Sequence, residues 1–175
     1  MCAFTLAARE RDGERAVWRA GQNVCQAVPM TVASYQVRRA RSADEVTAAV
    51  ALRHQVFCVE QGVPEWEELD GRDPDGIHLV AVADGELLGT CRLVRIGRTV
   101  QFSRLAVRSD ARRLGIATAL LALADEEARS LGTKRIVLHA QTYALQLYEN
   151  AGYRPRGRFF VEAGIEHVAM EKPVG

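Results

Sequence analysis

Residues 102–118 have the sequence FSRLAVRSDARRLGIAT, which decides the fold because a strand, a basic turn and a helix follow one another within it. The strand-like run ends at Val107. Apolar side chains then recur at helical spacing from Ile116 to Leu131, and Gly132 stands where a left-handed C-cap is expected. The basic turn is therefore predicted to lead directly into the N-terminus of a helix.

This turn, residues 108–114, has the chemistry of an anion-binding site. The first N–H groups of a helix lack acceptors within the helix, and the helix dipole adds roughly half a positive charge there, so diphosphate oxygens are well matched. Gly115 allows a ligand to approach the backbone, and Ala117 keeps the second turn small. Arg112 and Arg113 can add charge-assisted hydrogen bonds.

The same residues have two alternative interpretations besides a diphosphate site. The turn could be a solvated helix N-terminus that binds nothing. It could also belong to another phosphate-binding class, but neither the Gly-Lys-Ser/Thr of a Walker loop nor the dinucleotide fingerprint G-x-G-x-x-G occurs in it.

The elements predicted around this turn give an α+β (mixed α/β) order with helices covering a mixed sheet. A capping box, Ser42-Ala43-Asp44-Glu45, predicts a first helix that ends near Gly62, and an acidic loop over 64–76 follows it. The strand at 135–139 is mostly apolar and is expected to be buried on both faces. The other predicted strands are 35–40, 78–83, 87–96, 100–107, 159–162 and 165–170, and the later helices are 116–131 and 142–150.

Length and composition predict one globular domain. The chain has 175 residues, of which 48% are hydrophobic and 26% charged, and an ordinary domain has roughly 150 residues. Residues 1–30 lack sustained periodicity and are predicted to form a loosely attached N-terminal arm, so that the domain proper comprises 31–175.

Charge and cysteine content limit the partners and the compartment. A formal net charge of +1 argues against nucleic acid or a membrane surface as a general partner. No apolar stretch approaches the eighteen or so residues of a membrane span, and the N-terminus lacks a signal-peptide core. The four cysteines form no close pair, so a reducing, cytoplasmic setting is predicted.

The strand at 102–107 and the loop at 112–117 resemble the acetyl-CoA-binding segment of the GNAT superfamily, whose loop is written R/Q-x-x-G-x-G/A; Ala117 takes the last position here. The likeness covers roughly residues 35–172. It implies the GNAT acyl-CoA N-acyltransferase fold, with a mostly antiparallel sheet, and acetyl-CoA as co-substrate. By the same resemblance, backbone atoms of three strand residues would pair with the pantetheine arm and the loop would hold the diphosphate: Leu105, Ala106 and Val107, then Arg112, Arg113, Leu114, Gly115, Ile116, Ala117 and Thr118.

Three further strings occur in the order found in the ElaA-like branch of that superfamily. Together they are fairly specific, because they are separated in the chain. The strings are Arg53-x-x-Val56-Phe57-x-x-Glu60-Gln61-Gly62-Val63-Pro64, Leu69-Asp70-Gly71-x-Asp73 and Leu138-His139-Ala140-Gln141.

The general acid is predicted from the segment 142–153, which resembles the GNAT segment whose tyrosine protonates the leaving sulfur. Tyr148 occupies that position. A phenol suits the task because it is a neutral donor at pH 7. The alternative is that Tyr148 merely packs on the apolar face of its helix.

The general base is less clearly marked. Glu60, at the end of the first helix, is the first candidate, and a chain of water molecules is the alternative. Gln61, His139 and Gln141 are predicted to contact the acceptor substrate or to orient water. Glu60 could also be only a solvated carboxylate, and His139 a hydrogen-bonded core histidine.

The acidic loop contains six acids between Glu65 and Asp75, opposed within it only by Arg72. Such a loop is expected to attract a cationic acceptor, although most acidic runs are simply solvated. A metal is not predicted, because the loop does not match the calcium register and because His54 and Cys58 lack partners at ligand spacing.

The preferred function from sequence is direct transfer of an acetyl group from acetyl-CoA to a primary amine of a small molecule or peptide. One alternative is a catalytically silent module that senses acyl-CoA or binds a partner. Another is a synthase related to the acyl-homoserine-lactone enzymes. A homodimer is possible, and cysteine nucleophiles at Cys58 and Cys91 stay open.

Overall fold

The computed structural model describes residues 34–175, and the predicted arm, residues 1–30, lies outside them. The described range contains seven strands and four α-helices. The strands are β1 Gln36–Arg39, β2 Ile77–Ala83, β3 Glu86–Ile96, β4 Thr99–Val107, β5 Arg135–Gln141, β6 Arg154–Glu162 and β7 Ile165–Pro173. The helices are α1 Ala43–Arg53, α2 Glu65–Glu68, α3 Ile116–Ser130 and α4 Leu145–Asn150.

All seven strands form one sheet in the order β1-β2-β3-β4-β5-β7-β6. Strands β2 to β4 are an antiparallel meander, as predicted, and β1 pairs antiparallel with β2. Strand β5 pairs parallel to β4 and antiparallel to β7, and the hairpin β6–β7 completes the sheet. The predicted mixed, mostly antiparallel sheet with flanking helices is confirmed.

The sheet opens between β4 and β5. These strands pair only from Thr99 opposite Arg135 to Gln101 opposite Val137, although both continue beyond that point. A bulge in β4, marked by Arg104 at φ +58°, shifts the register against β3 in the same region. Because bulges bend a strand and increase its twist, this one separates the end of β4 from β5.

Helix α3 covers one face of the sheet and supplies most of the core on that side. Its inward stripe is fully buried. The helix lies close to β3 at Gly89, where a Cβ would come within 2.7 Å of Ile116 Cγ2. A side chain at Gly89 would therefore push the start of α3 away from the sheet. The stripe consists of Ile116, Leu120, Leu121, Ala124 and Ala128.

The predicted start of α1 is confirmed, but its end differs. Ser42 Oγ accepts from the Glu45 N–H at 3.2 Å, while Glu45 Oε2 accepts from the N–H of Arg41 rather than of Ser42. After Arg53 the helix continues as a π-helix, His54–Glu60, which periodicity had not indicated. The wider i→i+5 turn is frequent at functional sites, and here it ends at the open side of the sheet.

Strand β5 is not buried on both faces, contrary to expectation. Its burial alternates, with Ile136, Leu138 and Ala140 in the core beside α3. Val137, His139 and Gln141 occupy the other face, where His139 is exposed. Among residues 34–175, no helix covers this half of the sheet as α3 covers its opposite face. The apolar run at 135–139 therefore did not indicate burial on both faces.

The acidic loop also differs from expectation, because half of its acids form ion pairs with arginines. It contains the short helix α2 and a 3₁₀ turn, Asp73–Asp75. Three arginines from α1, β3 and β4 pair with it: Arg53 with Glu68 and Asp73, Arg92 with Asp70 and Asp73, and Arg104 with Glu68 and Asp70. The loop as a whole therefore does not present six free negative charges to a ligand.

Candidate active site

A cavity of about 720 Å³ occupies the gap between β4 and β5. One wall comes from the π-helix after α1 and from α2, the other from α4 and the β6–β7 hairpin, and the N-terminus of α3 lies at one end. Because the strands are unpaired here, the cavity passes through the sheet and has side chains from both faces in its lining.

Nearly all the residues predicted to form the site line this one cavity, although they come from separate parts of the chain. Ala106 is buried on the core side of β4 and Leu114 is exposed outside the cavity; both had been named for their backbone atoms. The lining residues among those predicted are Glu60, Gln61, Leu105, Val107, Arg112, Arg113, Gly115, Ile116, Ala117, Thr118, His139, Gln141 and Tyr148.

The N-terminus of α3 presents free donors to the cavity. Gly115 is its N-cap at φ +79°, and no side chain from residues 34–175 caps the helix. The first helical hydrogen bond runs from Ala119 N to Gly115 O at 3.0 Å, so the N–H groups of residues 116–118 precede it. Arg113, just before the cap, also has a positive φ, +65°. These features form a backbone cradle that fits the oxygens of a diphosphate.

The two arginines of the loop differ in their contacts. Arg112 is held in place: its Nε donates to Val107 O at 3.1 Å and its Nη2 pairs with Glu60. Arg113 makes no ion pair with any residue from 34 to 175. The free guanidinium beside the helix N-terminus is therefore that of Arg113, whereas Arg112 and the candidate base Glu60 hold each other.

Tyr148 lies in α4 and is buried, with 7% of its surface exposed where it lines the cavity. It packs edge-on against Phe102 and Tyr153, with ring centroids 6.4 and 6.0 Å away. Burial, followed by the nearby Cys91 and Tyr143, raises the pKa of the Tyr148 phenol. The phenol is thus kept protonated, as a proton donor must be. Tyr148 can therefore both pack in the core and serve as a proton donor to the cavity.

The side chains of Gln61, Gln141 and Tyr143 form a closed ring of hydrogen bonds in the cavity lining. Gln61 Nε2 donates to the Tyr143 hydroxyl at 3.0 Å, and Gln141 Nε2 donates to Gln61 Oε1 at 3.0 Å. The Tyr143 hydroxyl donates to Gln141 Oε1. Tyr143 was not among the residues predicted from sequence; its place two residues after the Leu-His-Ala-Gln string was the available signal.

His139 forms a second pair nearby. Its Nδ1 lies 2.9 Å from Glu162 Oε2, and its ring packs edge-on against Phe160 at 4.9 Å between centroids. Both members of the pair line the cavity. His139 is therefore no core histidine, and Glu162, at the end of β6, was missed because only the sheet register brings it there.

The two described cysteines are poor nucleophiles. Burial raises the pKa of the Cys91 thiol, which is fully buried. Burial and the negative charge of Glu68 raise the pKa of Cys58 as well. Cys58 does not line the cavity. Since the thiolate is the reactive form, neither residue is suited to carry an acyl group.

Residues 34–175 contain neither a candidate metal cluster nor a candidate membrane-spanning helix. No group of three or more His, Cys, Asp or Glu side chains in this range could hold a metal ion. Nor does the range contain a helix of the length and hydrophobicity needed to cross a bilayer.

Comparison with known proteins assigns the chain to one family. A family model described as an acetyltransferase (GNAT) domain matches residues 40–174. In Bacillus subtilis strain 168, the protein named uncharacterized N-acetyltransferase YjcF is 31% identical over 135 residues, which cover 76% of this chain and 96% of YjcF.

Solved structures show the same fold. An acyl-CoA N-acyltransferase from Pseudomonas aeruginosa is 29% identical, with a TM-score of 0.70 over 79% of this chain and 98% of that one. Escherichia coli ElaA, at 24% identity, also has a TM-score of 0.70 over 79% of this chain and 98% of its own. Since the family model spans most of the chain, the protein belongs to the GNAT family of N-acetyltransferases. The assignment made from the loop and the three strings is confirmed.

Proposed function

We propose that this enzyme transfers an acetyl group directly from acetyl-CoA to a primary amine of a small molecule or a peptide. Acetyl-CoA is the acetyl donor used by the GNAT family. The observation that carries the proposal is the single cavity that joins the uncapped N-terminus of α3 to the buried phenol of Tyr148.

The residues present fit the donor along the whole of this path. The N–H groups of residues 116–118, together with Arg113, would hold the diphosphate. The β5-facing edge of β4, which has no strand partner beyond Gln101 within residues 34–175, would bind the pantetheine arm through the backbone of residues 105–107. Backbone pairing of an extended group to an exposed strand edge satisfies donors and acceptors that the sheet leaves free.

Tyr148 acts as the general acid in this proposal. As the C–S bond of the thioester breaks, negative charge develops on sulfur, and a neutral phenol can give up its proton only at that moment. The high proton affinity of both cysteines supports direct transfer to the amine without an acyl-enzyme. Glu60, the base first considered, is engaged by Arg112, so its carboxylate is not free in this structure.

The proposal is tested by an amine-acceptor screen in which acetylated products are detected by mass and CoA release is followed by thiol reagent. We expect at least one primary amine to be acetylated in strict proportion to thiol release. Binding of CoA without turnover across the whole panel would favour the silent module. Use of long acyl donors with S-adenosylmethionine would favour the synthase. The predicted cytoplasmic location and homodimer stay predictions.

Removing Arg113 is expected to weaken donor binding. Arg113→Ala deletes a free cation next to the diphosphate cradle, and loss of one exposed charge-assisted contact should raise the Kd of CoA about tenfold, or roughly 1.4 kcal/mol. Isothermal titration with CoA measures it. The matched control is Arg129→Ala, which removes an exposed arginine at the opposite end of α3. Equal Kd values for the two variants would contradict the diphosphate assignment.

A further inference from the structure

We propose that His139, oriented by Glu162, is the catalytic base that takes the proton from the acceptor amine. The inference rests on the proposed function and names the partner that Tyr148 needs. Glu162 is then a positioning residue, and Glu60 is the ion-pair partner of Arg112.

The pair is built across the sheet from two strands that are not adjacent. His139 lies opposite Ala169 of β7, and Glu162 ends β6, two strands away. The 2.9 Å contact from Nδ1 to Glu162 Oε2 closes this distance. Phe160 packs against the His139 ring, and His167 stacks on Phe160 with centroids 6.0 Å apart. The imidazole is thus held in one orientation although it is half exposed.

The contact determines which nitrogen is free. An ionised carboxylate only accepts hydrogen bonds, so Nδ1 must carry the proton and donate it to Glu162. In the neutral ring, Nε2 then has the free lone pair, which is the form a base requires. A carboxylate in this position also stabilises the imidazolium that forms when Nε2 takes up a proton.

Stability does not account for the pair. The side chains of His139 and Glu162 are 51% and 50% exposed, and surface pairs of this kind contribute about 0–1 kcal/mol to folding. Both nonetheless line the one cavity that contains Tyr148. An exposed, oriented histidine at that place has a chemical use rather than a structural one.

The acid and the base would act from opposite faces of the sheet. Tyr148 belongs to the core cluster that includes Leu138 and Ala140, whereas His139 lies between these two residues in β5 and so points to the other face. The gap between β4 and β5 connects the two sides. A thioester lying in this gap would meet a proton donor on one side and a proton acceptor on the other.

The step balances without a further reactant. The amine nitrogen uses its lone pair to form a bond to the acetyl carbonyl carbon, and the carbon–sulfur bond breaks with its electron pair going to sulfur. One proton passes from nitrogen to His139 Nε2, and the phenol proton of Tyr148 passes to sulfur. The products are an amide and the free thiol of CoA; the proton on His139 and that missing from Tyr148 are then exchanged with water.

The experiment uses the full chain and the best amine from the acceptor screen. His139→Ala should lower kcat about a hundredfold, within the range typical of a lost general base, while the Kd of CoA is unchanged. Because the His139 side chain is half exposed, added imidazole can reach the space left by the substitution and should restore part of kcat in proportion to its concentration. Removal of a merely structural histidine would not be rescued in this way.

Glu162 is tested by two substitutions. Glu162→Gln keeps an oxygen that accepts from Nδ1 and should reduce kcat about tenfold, whereas Glu162→Ala, which leaves the ring unoriented, should approach the His139→Ala value. The matched controls are His54→Ala, an exposed histidine away from the cavity, and Glu166→Gln, an exposed acid of the same hairpin. Both controls should keep wild-type kcat.

The outcomes separate the two proposals. If the wild type turns over and His139→Ala retains its kcat, or loses it without any response to imidazole, the assignment of the base is wrong and the proposed transfer stands. If Glu60→Gln alone abolishes kcat with unchanged CoA binding, Glu60 is the base instead. If the wild type acetylates no amine in the panel, the proposed function falls and this inference with it.

Discussion

Tyr148→Phe is expected to lower kcat about a thousandfold, because it removes the only atom through which this residue can protonate the leaving thiolate. Phenylalanine fills the same space between Phe102 and Tyr153, so the fold and the Kd of CoA should be unchanged. Steady-state assay of thiol release, with titration of CoA into the same preparation, measures both quantities.

The same cluster offers a control for this prediction. Tyr153 is also a buried tyrosine, its hydroxyl has no hydrogen-bond partner among residues 34–175, and it does not line the cavity. Tyr153→Phe should therefore keep wild-type kcat, and its stability should be equal or slightly higher because an unsatisfied polar atom is removed. Equal kcat for Tyr148→Phe and the wild type would show that another group protonates the thiolate.

The parts of the site that sequence predicted are those encoded by contiguous residues. The turn at 108–114 and the helix after it are local features, because a left-handed glycine, a basic turn and a helical stripe are each determined within a few residues. The order of strands and helices along the chain also followed from local pattern and turn signals. For this reason the basic turn and the helix N-terminus after it could be predicted before the fold was known, whereas Tyr148 was predicted from the resemblance of residues 142–153 to a GNAT segment.

The parts that sequence did not predict depend on register and on long-range pairing. Glu162 meets His139 only because β7 lies between β5 and β6 in the sheet. The π-helix after Arg53 has the residue composition of an ordinary helix, so periodicity did not mark it. The arginines that pair with the acidic loop lie 15 to 36 residues away from their partners, as in the pairs of Arg53 and Arg104 with Glu68. Charge counts within a window cannot find such partners.

These arginines give the acidic loop a structural role beside the cavity. Arg104, in the bulge of β4, donates to Glu67 O at 2.7 Å and pairs with Glu68 at 2.7 Å. Arg53 forms ion pairs with both Glu68 and Asp73, and Arg92 forms ion pairs with both Asp73 and Asp70. Burial alone would raise the pKa of Asp73, but the hydrogen bonds and positive charges of Arg53 and Arg92 together outweigh it, so the pKa is lowered. The stability this carboxylate adds is therefore present at neutral pH and is lost as the pH falls below the usual aspartate range through the lowered pKa.

Substitution of Arg53 is expected to have the largest effect on stability. Arg53 is fully buried and holds Asp73 at 2.6 Å as well as Glu68, which is itself only 2% exposed. Arg53→Met keeps the apolar stem but leaves two carboxylates short of a cation. Breaking a buried pair in this way costs about 3–5 kcal/mol, or roughly 10 °C in Tm for a domain of this size. Urea unfolding and thermal melts measure the loss.

The control is Arg39→Met, which breaks an ion pair with Glu127 in which Arg39 is 52% exposed. Because exposed pairs contribute about 0–1 kcal/mol, this variant should unfold almost as the wild type does. Arg104 still contacts Glu68, and Arg92 still contacts Asp73, when Arg53 is absent. If Arg53→Met lowered the free energy of unfolding no more than Arg39→Met does, Arg92 and Arg104 would suffice to hold the acidic loop. Arg53 would then not be the residue that attaches this loop to α1.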